Sequence, residues 1–163
     1  MSLIIDNKDH FKVLFETVKK NKPSKCYIST FNIFAGITHD GKDVVEDYHY
    51  ENISHDFLEL LRNLKVKTEI VVGLPYFMEC RKGCPDCLNE YQKRTRRIYK
   101  HFDKWPEFKW KALEFHHSKY ILFSPKYSFI GGRNLTSSNY NDLTFLHTDT
   151  KLYNKLVKYH VDL

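Results

Sequence analysis

The chain has 163 residues, 42% hydrophobic and 15% aromatic, with 26 Lys and Arg against 20 Asp and Glu for a net charge of +6. That length fits a single domain with one buried core, and so many aromatics exclude a disordered chain. No apolar run approaches the ~20 residues that span a bilayer, and the opening MSLIIDNKDH lacks a signal-peptide layout, so a cytoplasmic globular domain without membrane contact is expected.

Lys8–Lys20 sets Phe11, Leu14, Phe15 and Val18 at helical spacing, and Pro23 breaks the helix. Cys26–Ala35, CYISTFNIFA, is β-branched and aromatic and reads as a buried strand. His39–Glu51 is polar. Asp56–Leu64 places Phe57, Leu60, Leu61 and Leu64 on one helical face, and Val66–Leu74 is a strand stopped by Pro75. Met78–Leu88 is then dense in Cys, Gly and Pro, and Asn89–His101 reads as a basic helix. Phe108–Phe115 and Tyr120–Phe123 are strands separated by His116-His117-Ser118-Lys119. Phe129–Ile130 is a short strand running into Gly131-Gly132, Leu143–Leu146 is another, and Lys151–Val161 closes as a helix. Strands alternating with helices, then a cluster of strands, predict an α/β fold on a mixed sheet flanked by helices.

The positive charge is concentrated. Residues 76–119 hold 11 basic and 6 acidic residues, whereas the remainder holds 15 and 14. An anionic partner met at one place accounts for this; a solvated basic helix without a partner is the competing reading. Within Asn89–His101, Tyr91 and Ile98, with Leu88 just before them, can pack inward, while Lys93, Arg94, Arg96, Arg97 and Lys100 spread over the other face. Such a helix can follow a phosphate backbone. Trp105, Phe108 and Trp110 could stack on bases, although aromatics at strand positions more often fill a core.

Cys80, Cys84 and Cys87 form C-x3-C-x2-C, with Gly83 and Pro85 shaping a knuckle. Three thiols so close suit tetrahedral zinc, with His101 the first choice of fourth ligand. Cys26 is expected to pack in its strand as a small hydrophobe. Disulfides fit a cytosolic chain poorly. An iron–sulfur cluster, or no metal at all, stays open.

The most informative stretch runs from His116 to Asp142, HHSKYILFSPKYSFIGGRNLTSSNYND. Its spacing resembles the signature of the phospholipase D superfamily, H-x-K-x4-D-x6-G-S-x-N. His117, Lys119, Gly131 and Asn134 match; Ser124 stands in the acidic slot and Gly132 in the serine slot. The spacing selects His117 rather than His116, and GG-R-N-L-T is similar to the nuclease branch. The resemblance covers 1–163 as one phospholipase D-like domain, with 76–105 as a Cys-rich and basic-helix insertion.

The chemistry of these residues agrees. Phosphodiester cleavage without metal needs a nucleophile, an acid for the leaving oxygen and cations for the non-bridging oxygens. Imidazole can serve as nucleophile or acid near neutral pH. Two residues apart on an extended strand, His117 and Lys119 would project from the same face. Asn134 follows a glycine pair that lets the backbone turn tightly. The resemblance further implies that Asp142 buttresses His117, and that two copies pair because each brings a single motif. A homodimeric, metal-independent endonuclease forming a phosphohistidine is therefore expected. Its partner is nucleic acid, DNA rather than RNA, with Arg133 as an added phosphate contact and zinc only structural. A phospholipid head-group phosphodiesterase and a DNA-binding subunit without turnover are the alternatives.

Overall fold

The computed structural model describes residues 1–4, 7–31, 53–74, 100–132 and 143–163. The first strand, β1 (Ser2–Ile4), was too short to announce itself by alternation. Helix α1 (Asn7–Asn21) buries Phe11, Leu14 and Val18 along one face. It stops where Lys22 turns left-handed at φ 43°, its N–H bonding the Val18 carbonyl, and Pro23 cannot continue the helix. Strand β2 (Lys25–Thr30) gives way to a bend at Phe31, inside the strand predicted to Ala35, whose residues 32–35 lie outside the described residues.

Helix α2 (Ile53–Asn63) buries Phe57, Leu58 and Leu61. Lys65, at φ 52°, closes it: Lys65 N–H bonds the Arg62 carbonyl and Val66 N–H the Leu61 carbonyl, a Schellman pair. That turn swings Leu64 outward to 41% exposure, contrary to its expected place on the buried face. Strand β3 (Lys67–Leu74) follows. A 3-10 turn (Lys100–Lys104) leads into β4 (Phe108–Glu114), then β5 (Tyr120–Phe123), β6 (Tyr127–Gly131), β7 (Thr144–Thr148) and helix α3 (Thr150–Asp162). Asp149 caps α3, its carboxylate accepting the Leu152 N–H.

The seven described strands form one mixed sheet in the order β1-β7-β6-β5-β2-β3-β4. β2, β3 and β4 are parallel, and the remaining pairings are antiparallel. Side chains alternate between two cores. Cys26, Ile28, Ile70, Val72, Ile121, Phe123 and Phe129 meet α1 and α2 on one face. Tyr27, Tyr120 and Leu122 meet Tyr153, Leu156 and Val157 of α3 on the other. Cys26 is fully buried, as expected for a packing residue.

Phe102 and Trp105 belong to the first core, at 0% and 4% exposure, with the Arg62 guanidinium 5.0 Å over the indole. The end of the stretch expected as an insertion is thus core. Trp105 and Phe108 are buried too deeply to stack on bases. Trp110 is half-buried, its indole N–H bonded to Asp103 at 2.6 Å.

Candidate active site

Strands β2, β3 and β4 all finish at one end of the sheet, and the antiparallel β5 begins there. β4 lies at the edge and β5 on the far side of β2, so residues 115–119 must cross the ends of β3 and β2. Strands lie ~4.8 Å apart, so this crossing covers roughly 14 Å, within reach of five extended residues.

The crossing fixes the site. Phe115 begins it in the left-handed region at φ 58°, its side chain 72% exposed. Next, the His116 carbonyl passes over Gly73 of β3. A Cβ there would stand 2.5 Å from that oxygen and would also strike the Phe31 ring, so only glycine admits the loop. The His116 ring then turns inward, 6% exposed, with Nε2 2.7 Å from the Ser29 hydroxyl of β2. The same hydroxyl donates to the Ser118 carbonyl at 2.8 Å.

His117 faces the other way. Its ring lies exposed against Phe31, centroids 4.9 Å apart, and its Nδ1 is 2.8 Å from the Lys119 ammonium. Lys119 also donates to the His117 carbonyl at 3.0 Å. The two side chains meet as the spacing predicted, but not by strand alternation: residues 116–119 are loop, and Lys119 curls back. An ammonium only donates, so Nδ1 accepts and a neutral His117 carries its proton on Nε2.

Below the loop a second polar chain enters the α3 face. The Tyr120 hydroxyl bonds His160 Nδ1 at 3.1 Å, and Ser118 Oγ lies 3.5 Å from the Tyr159 hydroxyl. Burial pushes the Tyr120 hydroxyl well above its ordinary range. Burial, with the Lys111 and His116 charges, lowers His160 to about 4. Burial lowers His116 too, helped by the charges of His117, Lys119 and Lys111. Sequence reasoning passed over His116; the doubled histidine was the signal that two rings with opposite environments stand side by side.

The two substituted motif positions have structural roles. Ser124 Oγ accepts N–H bonds from Ser24 and Lys25, both at 3.1 Å, and lies 3.2 Å from the Ser24 hydroxyl. This pins the start of β2. Gly131 is required by packing: a Cβ there would fall on the Leu143 carbonyl oxygen. Gly132 is exposed and donates its N–H to that same carbonyl at 3.2 Å.

Arg133, Asn134 and Asp142 lie outside the described residues, as do Lys93, Arg94, Arg96, Arg97, Cys80, Cys84 and Cys87. Of the remaining predicted contacts, Lys100 is exposed on the 3-10 turn, and of His101 only the backbone is described there. Among the described residues, no helix is long and apolar enough to cross a membrane.

No family model matches the sequence, and no curated protein matches it. Solved structures do. NucT from Helicobacter pylori aligns with a TM-score of 0.61 at 13% identity, covering 99% of this chain and 92% of its own. Nuc from Salmonella typhimurium, a phospholipase D family member, aligns with 0.56 at 13% identity over 99% and 92%. This chain has the phospholipase D fold. A phosphatidylserine synthase of Haemophilus influenzae shares that fold with a TM-score of 0.60 at 13% identity, over 98% of this chain and 37% of the synthase.

Proposed function

We propose that the protein is a phosphodiesterase that cleaves nucleic acid, DNA before RNA, through a covalent phosphohistidine. The observation that carries this reading is the exposed His117–Lys119 pair, with imidazole and ammonium 2.8 Å apart, at the end of a phospholipase D fold.

His117 attacks phosphorus, and the bond from phosphorus to the leaving oxygen breaks. The His117 of a second copy gives its proton to that oxygen, which is why one motif per chain calls for a homodimer. Water then attacks phosphorus and leaves a proton on the second imidazole, and the phosphorus–nitrogen bond breaks. Lys119 and Asn134 hold the non-bridging oxygens. With Lys119 donating to Nδ1, the neutral ring holds its proton on Nε2, so that nitrogen is not yet free to attack; in the second copy the acid is the imidazolium, protonated on both nitrogens. A phosphate that draws Lys119 away frees Nδ1. The ring proton then exchanges through solvent from Nε2 to Nδ1, where it is donated to the Asp142 carboxylate, leaving Nε2 unprotonated for attack.

Lys93, Arg94, Arg96, Arg97, Lys100 and Arg133 would neutralise backbone phosphates in this reading. Cys80, Cys84 and Cys87, with His101, match a structural zinc donor set; the chemistry described above needs no metal.

A second reading, transfer or hydrolysis at a phospholipid head group, draws on the likeness in fold to the phosphatidylserine synthase. One experiment separates the two. Wild type and His117→Ala are incubated in excess EDTA with single- and double-stranded DNA, and separately with anionic phospholipid vesicles. We expect DNA cleavage by wild type alone. Cleavage of lipid alone would replace the first reading with the second. DNA binding without cleavage would leave a binding subunit.

A further inference from the structure

We propose that Ser29 is a positioning residue for His117, acting through the two neighbours that flank it; this rests on the reading of His117 as the reacting group. Ser29 is 2% exposed and sits on β2, paired with Val71 of β3 and with Tyr120 of β5. It is thus held inside the sheet, on a strand paired along both edges. Its hydroxyl reaches the His116 ring at 2.7 Å and the Ser118 carbonyl at 2.8 Å. One side chain therefore holds the residue before His117 and the residue after it.

The protons define the arrangement. A serine hydroxyl has one hydrogen, and Ser29 gives it to the Ser118 carbonyl, which can only accept. The short contact to His116 must then run the other way, Nε2–H donating to Ser29 Oγ. His116 is fixed in one tautomer and cannot offer that nitrogen to a substrate. It acts as an anchor beside the reacting histidine. Gly73 completes the clamp from below, since the His116 carbonyl rests where any larger residue would put a Cβ. With 116 and 118 both tied down, the His117 side chain has one direction left to take, outward against Phe31 and toward Lys119. A reacting atom misplaced by about 1 Å can cost 100-fold in rate, so such a clamp acts on turnover more than on affinity.

The test pairs kinetics with imidazole NMR. Ser29→Ala should lower kcat on the cleaved DNA by about 10- to 100-fold while leaving KM within about twofold. In 15N spectra, wild-type His116 should appear as the Nε2–H tautomer with a slowly exchanging proton. Ser29→Ala should abolish that slow exchange and shift the His117 ring resonances. His116→Gln, whose amide can still donate to Ser29, should recover most of the turnover that His116→Ala loses. Those two variants decide the matter if Ser29→Ala does not fold. Wild-type kcat in Ser29→Ala, or equal loss in His116→Gln and His116→Ala, would overturn the proposal. If wild type cleaves no phosphodiester, the functional reading fails. The clamp then stands or falls on NMR, and unchanged His117 resonances in Ser29→Ala would overturn it.

Discussion

Ser124 Oγ accepts the backbone N–H of Lys25 at 3.1 Å, joining the residue just after β5 to the first residue of β2, 99 positions earlier. It accepts the Ser24 N–H as well, so two donors at the mouth of a central strand depend on one hydroxyl. Ser124→Ala should cost about 0.5–1 kcal/mol, because the two N–H groups it releases belong to exposed residues and can turn to water. Urea denaturation should show a lower midpoint with an unchanged slope. Ser124→Asp, which restores the residue of the motif, should retain or increase stability through charge-assisted bonds to the same N–H groups.

Acid should unfold the protein through its buried histidines. His160 has a folded pKa of about 4 against an ordinary value of 6.5. The unfolded chain therefore binds the extra proton first, and stability is intact above pH 6.5 and lost as pH falls toward 4. At about 1.4 kcal/mol per pH unit, the loss reaches at most about 3 kcal/mol. His116, lowered by the same burial, adds in the same direction. Thermal midpoints between pH 7.5 and pH 4.5 check this. His160→Phe, which keeps a ring but cannot titrate, should flatten the profile.

How much of this was legible beforehand depended on which force shaped each segment. α1, α2 and β5 were readable because burial of one face or of a whole strand writes itself into hydrophobic spacing; β5 spans Tyr120–Phe123 as predicted. The predicted strand ran through Phe31 because the hydrophobic run continues past Thr30, and periodicity carries no sign of the bend there. Leu64 was misplaced because the left-handed turn at Lys65 redirects it, and no glycine announced that turn. The pairing of His117 with Lys119 was foreseen from motif spacing, whereas its cause was not. It arises from a loop crossing two strand ends, which depends on a strand order that local sequence does not encode.

Ser128 lies on β6 with its hydroxyl fully buried and no hydrogen-bond partner among the described residues. Removing such a group removes a desolvation penalty without stranding anything. Ser128→Ala should be neutral or stabilising by up to about 1 kcal/mol, as read from the urea midpoint.

Lys119→Ala should reduce turnover about 100-fold or more, as loss of a donor to developing negative charge commonly does. The phosphohistidine should still be trapped in some fraction of the protein after acid quench. Turnover close to wild type would remove Lys119 from the phosphate site.

The basic residues of the charged stretch should affect binding uniformly. Lys93→Ala or Arg97→Ala should weaken DNA binding regardless of sequence and lower the salt dependence by about one charge. Cys84→Ser should release metal and reduce folded protein while sparing the pH profile of turnover, as measured by metal analysis and a melting curve.

The strand order also bears on the history of each molecule as it leaves the ribosome. β2 is complete at Thr30, yet its antiparallel partner β5 and the serine that secures its entry arrive about a hundred residues later. β1 waits longer still, since among the described strands it pairs with β7. Parallel pairing of β2 with β3 can form early, but it leaves one edge of β2 open until the histidine loop has been made. Loop-closure entropy makes such distant pairings slow. Between the synthesis of β2 and that of β5 the nascent chain therefore carries a strand with one unpaired edge, a natural substrate for a holdase chaperone.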